Sequence, residues 1–217
     1  MRRGHPMSEK EQTANLNPDK ILIAEFNYAQ DTASQAMDDR HKVVNFFLLI
    51  SGVLFNALLL ILKDELLEKK LTDYSISLRI VVSVFFMAIF IIGLLYLLKL
   101  VKLRLSWYNS ALCMNNIKDY YDENLYSFEL KNKAFLWNGE KLKKWNLGKL
   151  STIFGYSAIL IVLIDSLALG GSVAFVCKNY VIPVPFFVFI FVFQIMFYKA
   201  LIAKGKKELD ESQYKKE

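Results

Sequence analysis

Four long runs of apolar residues divide this chain, and each run is long enough to cross a lipid bilayer. A hydrocarbon core about 30 Å thick needs about 20 apolar residues in an α-helix. Backbone groups in lipid must be hydrogen-bonded within the chain, which a helix achieves. The runs therefore predict an all-α polytopic membrane protein with transmembrane helices at 43–62, 78–101, 151–176 and 181–203, paired as hairpins over 43–101 and 151–203.

Polar segments flank these spans. Residues 1–17 show no hydrophobic periodicity and are predicted to be a disordered N-terminus. Asn17-Pro18-Asp19 is typical of a helix start, with a capping Asn, a Pro at the first helical position and an acid in the first turn. Because no Gly or Pro follows, a cytoplasmic helix over 18–42 should continue into the first span. The remaining segments are predicted to be a helical and interfacial cytoplasmic layer and a cytoplasmic tail, over 102–150 and 204–217.

Basic residues alternate between the segments outside the spans. Lys and Arg number six, three, ten, one and six in the successive segments 1–42, 63–77, 99–150, 177–180 and 199–217. Segments rich in Lys and Arg stay on the cytoplasmic side of a membrane. The alternation predicts a multi-pass protein of the bacterial inner membrane with both termini in the cytoplasm.

The formal net charge of +6 comes mainly from those basic segments, where anionic lipid favours it. We therefore expect membrane lipid, and not nucleic acid, as the partner of the basic residues. Two histidines and two cysteines, Cys113 and Cys177, are too few for a zinc site or a disulfide framework. The sequence contains no phosphate-binding loop, hydrolase motif or metalloprotease motif. It therefore predicts neither an enzyme nor a bound cofactor or metal.

Three polar residues lie inside predicted spans at similar depths. Asp165 is about 21 Å from the cytoplasmic end of its helix, Asn56 lies at nearly the same depth, and Gln194 lies closer to the cytoplasm. They fall within about 8–9 Å of one another in depth, which predicts an intramembrane polar cluster. The cluster has three interpretations: hydrogen-bonded structural glue, ion or proton conduction, and a lipid-facing or interface role. No Lys or Arg is available at that depth, which favours a neutral Asp165, or an ion or water beside it.

Small residues form two predicted helix-packing surfaces, since they let helices approach closely. On the cytoplasmic helix they form a strip of Ala29, Ala33 and Ala36. This alanine strip is expected to pack within the subunit against a helix at 107–121, with self-association between copies as the alternative. In the third span the small residues are Gly170, Gly171 and Ser172. Ser51 and Gly52 of the first span are expected to face them.

Basic residues and a tryptophan at the predicted membrane boundary form a set of candidate lipid-headgroup contacts. Long basic side chains extend from apolar surroundings to headgroups, and Trp prefers the interface. Before the first span the set contains Arg40 and Lys42. Before the third span it contains Trp145 and the lysines Lys141, Lys143, Lys144 and Lys149.

Two stretches of the chain carry a resemblance to known proteins. They include Glu25-Phe26-Asn27-Tyr28-Ala29-Gln30, Asp39-Arg40 and Phe46-Phe47, followed by Trp107, Met114-Asn115 and Ile117-Lys118-Asp119-Tyr120-Tyr121. In these residues the chain resembles a family of uncharacterised bacterial four-span membrane proteins. A helix that feeds directly into paired spans also resembles the SLATT-type membrane effectors of bacterial anti-phage systems, which have two spans. That resemblance implies a membrane effector in bacterial defence.

The sequence thus predicts a homo-oligomeric membrane effector or pore that responds to a cytoplasmic signal. The long first helix, the alanine strip and Asp165 support this function. The alternative is a membrane anchor or scaffold that docks a cytoplasmic protein partner through residues 19–42 and 105–146. A small transporter is a further alternative, although four spans without an evident inverted repeat enclose little cavity unless the protein dimerises.

Overall fold

The computed structural model describes residues 17–66, 76–124, 139–177 and 183–214. All regular structure in these residues is α-helical: α1 (Pro18–Leu66), α2 (Ile76–Asn124), α3 (Gly139–Lys144), α4 (Ile153–Cys177) and α5 (Pro183–Tyr214). All but α3 are long and apolar enough to cross a membrane. The predicted all-α polytopic fold is confirmed, and the chain is a multi-pass membrane protein. The predicted disordered N-terminus lies, apart from Asn17, outside the described residues.

The first helix begins where the sequence predicted and does not stop at the membrane boundary. Asn17 Oδ1 accepts a hydrogen bond from the backbone N–H of Asp19 at 3.1 Å, which satisfies a donor that the helix start leaves open. From there α1 continues for 49 residues, a length of about 73 Å. A membrane core takes up about 30 Å, so more than half of α1 stands outside it.

The second helix is equally long, at 49 residues. It joins the predicted span at 78–101 to the helix predicted at 107–121 without a break, because residues 102–106 contain neither Gly nor Pro. It contacts each of the other described helices and is therefore the central element of the bundle. The main hydrophobic core lies along it and includes Phe47, Leu97, Leu100, Tyr108, Leu112, Ile161, Tyr198 and Ile202.

The helices continue beyond the predicted spans into what we call the extramembrane layer: 18–42 of α1, 102–124 of α2, α3, and 204–214 of α5. The three residues of the alanine strip are 4–8% exposed in this layer. Around them, the Tyr121 hydroxyl donates to Asp19 Oδ1 at 3.4 Å, and Lys118 Nζ lies 5.7 Å from the centre of the Phe26 ring. The strip is therefore used for packing within the subunit.

The C-terminal half of α5 is tied into the same layer. The Tyr108 hydroxyl donates to Asp210 Oδ1 at 2.9 Å. Burial, with the neighbouring carboxylate, raises the pKa of Tyr108 well above its ordinary value, so the phenol stays a neutral donor. Lys206 Nζ donates to the backbone oxygens of Lys143 and Trp145 at 2.7 and 3.0 Å. These contacts hold α3 and the chain after it against α5.

The small residues near the end of α4 pack on α2. Ser172 Oγ lies 2.6 Å from Ser83 Oγ. A methyl group added at Gly171 would lie 3.2 Å from the ring of Phe86. The sequence placed the first span opposite these residues, but the structure places α2 there. Gly52 of the first span has no atom within 4 Å of an added methyl group.

Arg79 of α2 caps the C-terminal end of α4. Its Nε donates to the Phe175 carbonyl oxygen at 2.8 Å, and its Nη2 donates to the same oxygen and to that of Val176, the latter at 2.6 Å. The last carbonyl groups of a helix lack partners within the helix and carry partial negative charge. The Arg79 guanidinium gives two of these carbonyl groups a hydrogen-bond donor, and its positive charge partly neutralises the negative end of the helix.

Candidate functional site

Asp165 of α4 and Gln194 of α5 meet inside the bundle. Gln194 Nε2 donates to Asp165 Oδ2 at 3.2 Å, and the two residues are 0% and 2% exposed. Asp165 Oδ1 and Gln194 Oε1 have no hydrogen-bond partner among the described residues. The structure therefore brings together two of the three residues of the predicted intramembrane cluster, in a place closed to water and lipid.

The Asp165 carboxyl group packs directly against Gly93 of α2. A methyl group added at Gly93 would overlap that carboxyl group. The missing side chain is thus what allows an acid to enter the interface between α2 and α4. Gly93 is the one glycine in the predicted span 78–101, and an isolated glycine in an apolar helix indicates a close approach. This isolated glycine is the sequence signal that indicates the contact with another helix.

Asn56, the third predicted member of the cluster, lies elsewhere. Its side chain is exposed, and its Nδ2 donates to the Gly52 carbonyl oxygen at 2.9 Å. At about 100° per residue, Asn56 points to the opposite side of α1 from Phe47, which is buried in the core. The prediction of a three-residue cluster is corrected here, because similar depth does not place side chains on the same face.

Asn56 instead lines what we call the lateral groove, a cavity of about 600 Å³ between α1, α2 and α4. Ser51 and Gly52 line it as well. Ser51 is 8% exposed, and its hydroxyl has no partner among the described residues. The remaining lining is apolar and includes Leu48, Phe55, Phe86, Ile89, Ile164 and Leu167. The groove thus presents two polar side chains in apolar surroundings at membrane depth.

Arg40 departs from the predicted lipid-headgroup set. It is only 4% exposed, its Nη1 donates to Ser157 Oγ at 3.3 Å, and its guanidinium carbon lies 5.5 Å from the centre of the Phe154 ring. Arg40 therefore contacts the first turns of α4 and not the headgroups. The physical reason is its position four residues after Ala36, on the same face as the alanine strip.

Arg104 approaches the same aromatic ring, at 5.8 Å from its centre. It is 2% exposed and donates to the Tyr198 hydroxyl at 2.8 Å and to the Lys149 carbonyl oxygen at 3.2 Å. In the described part of the chain, no carboxylate forms an ion pair with Arg40 or Arg104. The two arginines join the start of α4 to α1, α2 and α5 at the predicted membrane boundary.

The other predicted headgroup residues lie at the surface, with one exception. Lys42 is exposed and pairs with Asp39 at 3.3 Å. Trp145 is half-buried, and its ring meets that of Trp107 edge-on, with centres 5.5 Å apart. Its ring thus packs on α2 as well as lying near the boundary. The remaining lysines are exposed: Lys141, Lys143, Lys144 and Lys149.

A second groove lies between residues 146–150 and the C-terminal half of α5, with a volume of about 690 Å³. We call it the lysine groove, because four of its lining residues are Lys149, Lys199, Lys206 and Lys207. The sequence does not predict this groove, because its lysines come from two segments that are far apart in the chain. Three of them belong to α5, and the fourth belongs to residues 146–150.

The described residues contain no group of three or more His, Cys, Asp or Glu side chains that could hold a metal ion. Compared with models of known protein families, with curated proteins and with solved structures, the chain matches none. Its function is therefore inferred from the buried polar pair, the two grooves and the long helices.

Proposed function

We propose that the protein is a homo-oligomeric effector of the bacterial inner membrane that opens a path between its subunits in response to a cytoplasmic signal. The observation that carries this proposal is the lateral groove, on which Asn56 is exposed at mid-membrane depth.

A single subunit leaves the exposed Asn56 amide of this groove facing lipid, and it leaves the Ser51 hydroxyl buried beside the groove. The Asn56 amide donates one hydrogen bond, to its own helix, and the Ser51 hydroxyl has no partner among the described residues. Lipid chains offer no hydrogen bonds, and polar side chains in spans pair across helix–helix interfaces. An amide both donates and accepts, so Asn56 of one copy is complementary to Asn56 of another. The groove therefore favours a second copy of this chain as its occupant.

The buried pair argues against a path through the interior of a subunit. Asp165 and Gln194 are enclosed by packed helices, and Gly93 closes the space beside the carboxyl group. A path between subunits would instead pass the exposed Asn56 amide.

The long helices support a response to a signal outside the membrane. Both α1 and α2 run from the extramembrane layer into their spans without a break, so a displacement in the layer would be transmitted along continuous helices. Under the positive-inside rule, the basic segments favour a cytoplasmic location for this layer. The resemblance to SLATT-type effectors favours a role in bacterial defence.

A membrane anchor or scaffold is the second candidate function, and one observation favours it. Ile21 and Tyr28, seven residues apart on one face of α1, are 52% and 67% exposed in the extramembrane layer. Exposed apolar side chains on a water-facing surface often mark a protein interaction site. A cytoplasmic partner would dock on this face, since the alanine strip is already covered.

Replacing Asn56 by leucine is expected to weaken the oligomer without unfolding the subunit. A hydrogen bond between membrane helices contributes about 1–2 kcal/mol in model peptides, so the dissociation constant should rise about tenfold. Subunits counted by single-molecule photobleaching in lipid bilayers, over a range of protein-to-lipid ratios, would measure the change. Val53→Ala is the matched control, because Val53 is exposed on the same helix but does not line the groove.

Two outcomes would count against the proposal in different ways. A wild-type protein that stays monomeric at every protein-to-lipid ratio would remove the oligomer altogether. An oligomer that is equally stable with Asn56→Leu and with Val53→Ala would place the contact between copies on another surface.

A further inference from the structure

The lysine groove lies where the chain crosses the predicted membrane boundary. Lys149 lies two residues before the predicted third span at 151–176, and Lys199 lies four residues before the end of the predicted fourth span at 181–203. The groove is therefore at the depth of the lipid headgroups. Its volume of about 690 Å³ leaves room for a phosphate group and the glycerol that carries it.

Two lysines of the groove lack counterions. Lys149 and Lys199 form no ion pair within the described residues. The other charged groups are already engaged: Lys206 with backbone carbonyl groups, Lys207 with Glu211 at 3.7 Å, and Asp210 with the Tyr108 hydroxyl. The end of the groove nearest the membrane is thus cationic and open to an anion.

The backbone at Lys149 is fixed, and the residue before it lies beside Lys199. The Lys149 carbonyl oxygen accepts hydrogen bonds from Arg104 at 3.2 Å and from the Thr152 hydroxyl at 3.0 Å, which fixes the backbone at this point. A methyl group added at the neighbouring Gly148 would lie 3.9 Å from Lys199 Cγ, so the Lys199 stem passes beside residue 148. Since both lysines line the groove, an anionic headgroup within it would lie near both side chains.

The groove is apolar beneath its charges. Leu147 and Ile202 are 2% and 1% exposed, and Leu150 and Ala203 complete this part of the lining. We propose that the lysine groove is a binding site for an anionic phospholipid, with its phosphate beside Lys149 and Lys199 and the first carbons of its acyl chains against the apolar lining. Charge complementarity, the position at the boundary and the apolar lining favour a lipid over a protein occupant. The site does not depend on the proposed oligomer.

Titration of the full chain in detergent with phosphatidylglycerol or phosphatidylcholine, followed by native mass spectrometry, would test this site. We expect at least severalfold tighter binding of phosphatidylglycerol. A basic residue near a membrane surface contributes about 1 kcal/mol, which is about fivefold in affinity. The double variant Lys149→Gln/Lys199→Gln should therefore lose about 25-fold in phosphatidylglycerol affinity, and Lys149→Arg/Lys199→Arg should retain it.

The control for total charge is Lys20→Gln/Lys204→Gln, which removes two exposed lysines that lie outside the groove and outside the predicted headgroup set. It should bind phosphatidylglycerol like the wild type. Equal losses in the two glutamine double variants would overturn the site, as would equal binding of the two lipids by the wild type. Displacement of the bound lipid by millimolar inorganic phosphate would overturn the assignment to a lipid and indicate a site for a free anion.

Discussion

Replacement of Gly93 by alanine is expected to cause a large loss of subunit stability. The new methyl group would occupy the position of the Asp165 carboxyl group. Overpacking costs about 1–3 kcal/mol, and displacing the buried acid from Gln194 leaves polar groups unpaired at about 1–3 kcal/mol more. Alanine returns about 1 kcal/mol of helix propensity. The free energy of unfolding in detergent should therefore fall by about 1–5 kcal/mol.

Two further variants isolate the cause of this loss. Gly52→Ala is the matched control, because an added methyl group there has no atom within 4 Å, and the subunit should be unchanged or up to about 1 kcal/mol more stable. Asp165→Ala in the Gly93→Ala background should recover part of the lost stability, since it vacates the contested space. Equal stability of Gly93→Ala and Gly52→Ala would show that the carboxyl group does not rest on Gly93.

Replacement of Arg79 by methionine is expected to release the C-terminal end of α4. The change removes the donors to the Phe175 and Val176 carbonyl oxygens. A hydrogen bond from a charged group contributes about 1.5–3 kcal/mol, and a cation at a helix C-terminus adds about 0.3–1 kcal/mol. We expect a loss of about 2–4 kcal/mol in the free energy of unfolding. Faster amide hydrogen exchange in the last turn of α4 would locate the effect.

The controls for Arg79 separate charge from geometry. Arg79→Lys keeps the charge but lacks the fork of donors that reaches two carbonyl groups, so about half of the loss should remain. Lys99→Met removes an exposed cation from the opposite end of the same span and should change stability by less than about 0.5 kcal/mol. Hydrogen exchange that is unchanged in α4 with Arg79→Met would contradict the capping role.

The spans and their continuity with the outer helices were predictable, because both follow from local features. Apolar runs of sufficient length define the membrane helices, and a stretch without Gly or Pro continues a helix. The capping Asn17 was recognised from three residues alone. The predicted span ends at 101, where the basic residues Lys102 and Arg104 follow, but the helix continues through them because a change in charge does not end a helix.

The rotation of each helix was harder to predict. Ala29, Ala33, Ala36, Arg40, Val43 and Phe47 recur at spacings of three and four and are all buried. This pattern places Arg40 on the inner face of α1, whereas its charge alone suggests an exposed position. Asn56 was misplaced for a related reason, since depth was matched and the angle around α1 was not.

Contacts between distant residues could not be derived from one sequence. The pairing of Arg79 with the end of α4 and of Gly93 with Asp165 depends on the register between α2 and α4. Register is set by the sum of many weak packing contacts, and no local motif records it. The same holds for the lysine groove, whose lysines become neighbours only after α5 folds back beside residues 146–150.

Ion flux across liposomes tests most directly whether copies of this chain open a path between them. Purified protein would be reconstituted at increasing protein-to-lipid ratios as the wild type, as Asn56→Leu and as Asp165→Asn. We expect flux that rises more steeply than the protein concentration, that is lost with Asn56→Leu and that survives Asp165→Asn. Flux that is lost with Asp165→Asn but kept with Asn56→Leu would place the path inside the subunit and contradict the proposal, as would the absence of flux from oligomeric wild type.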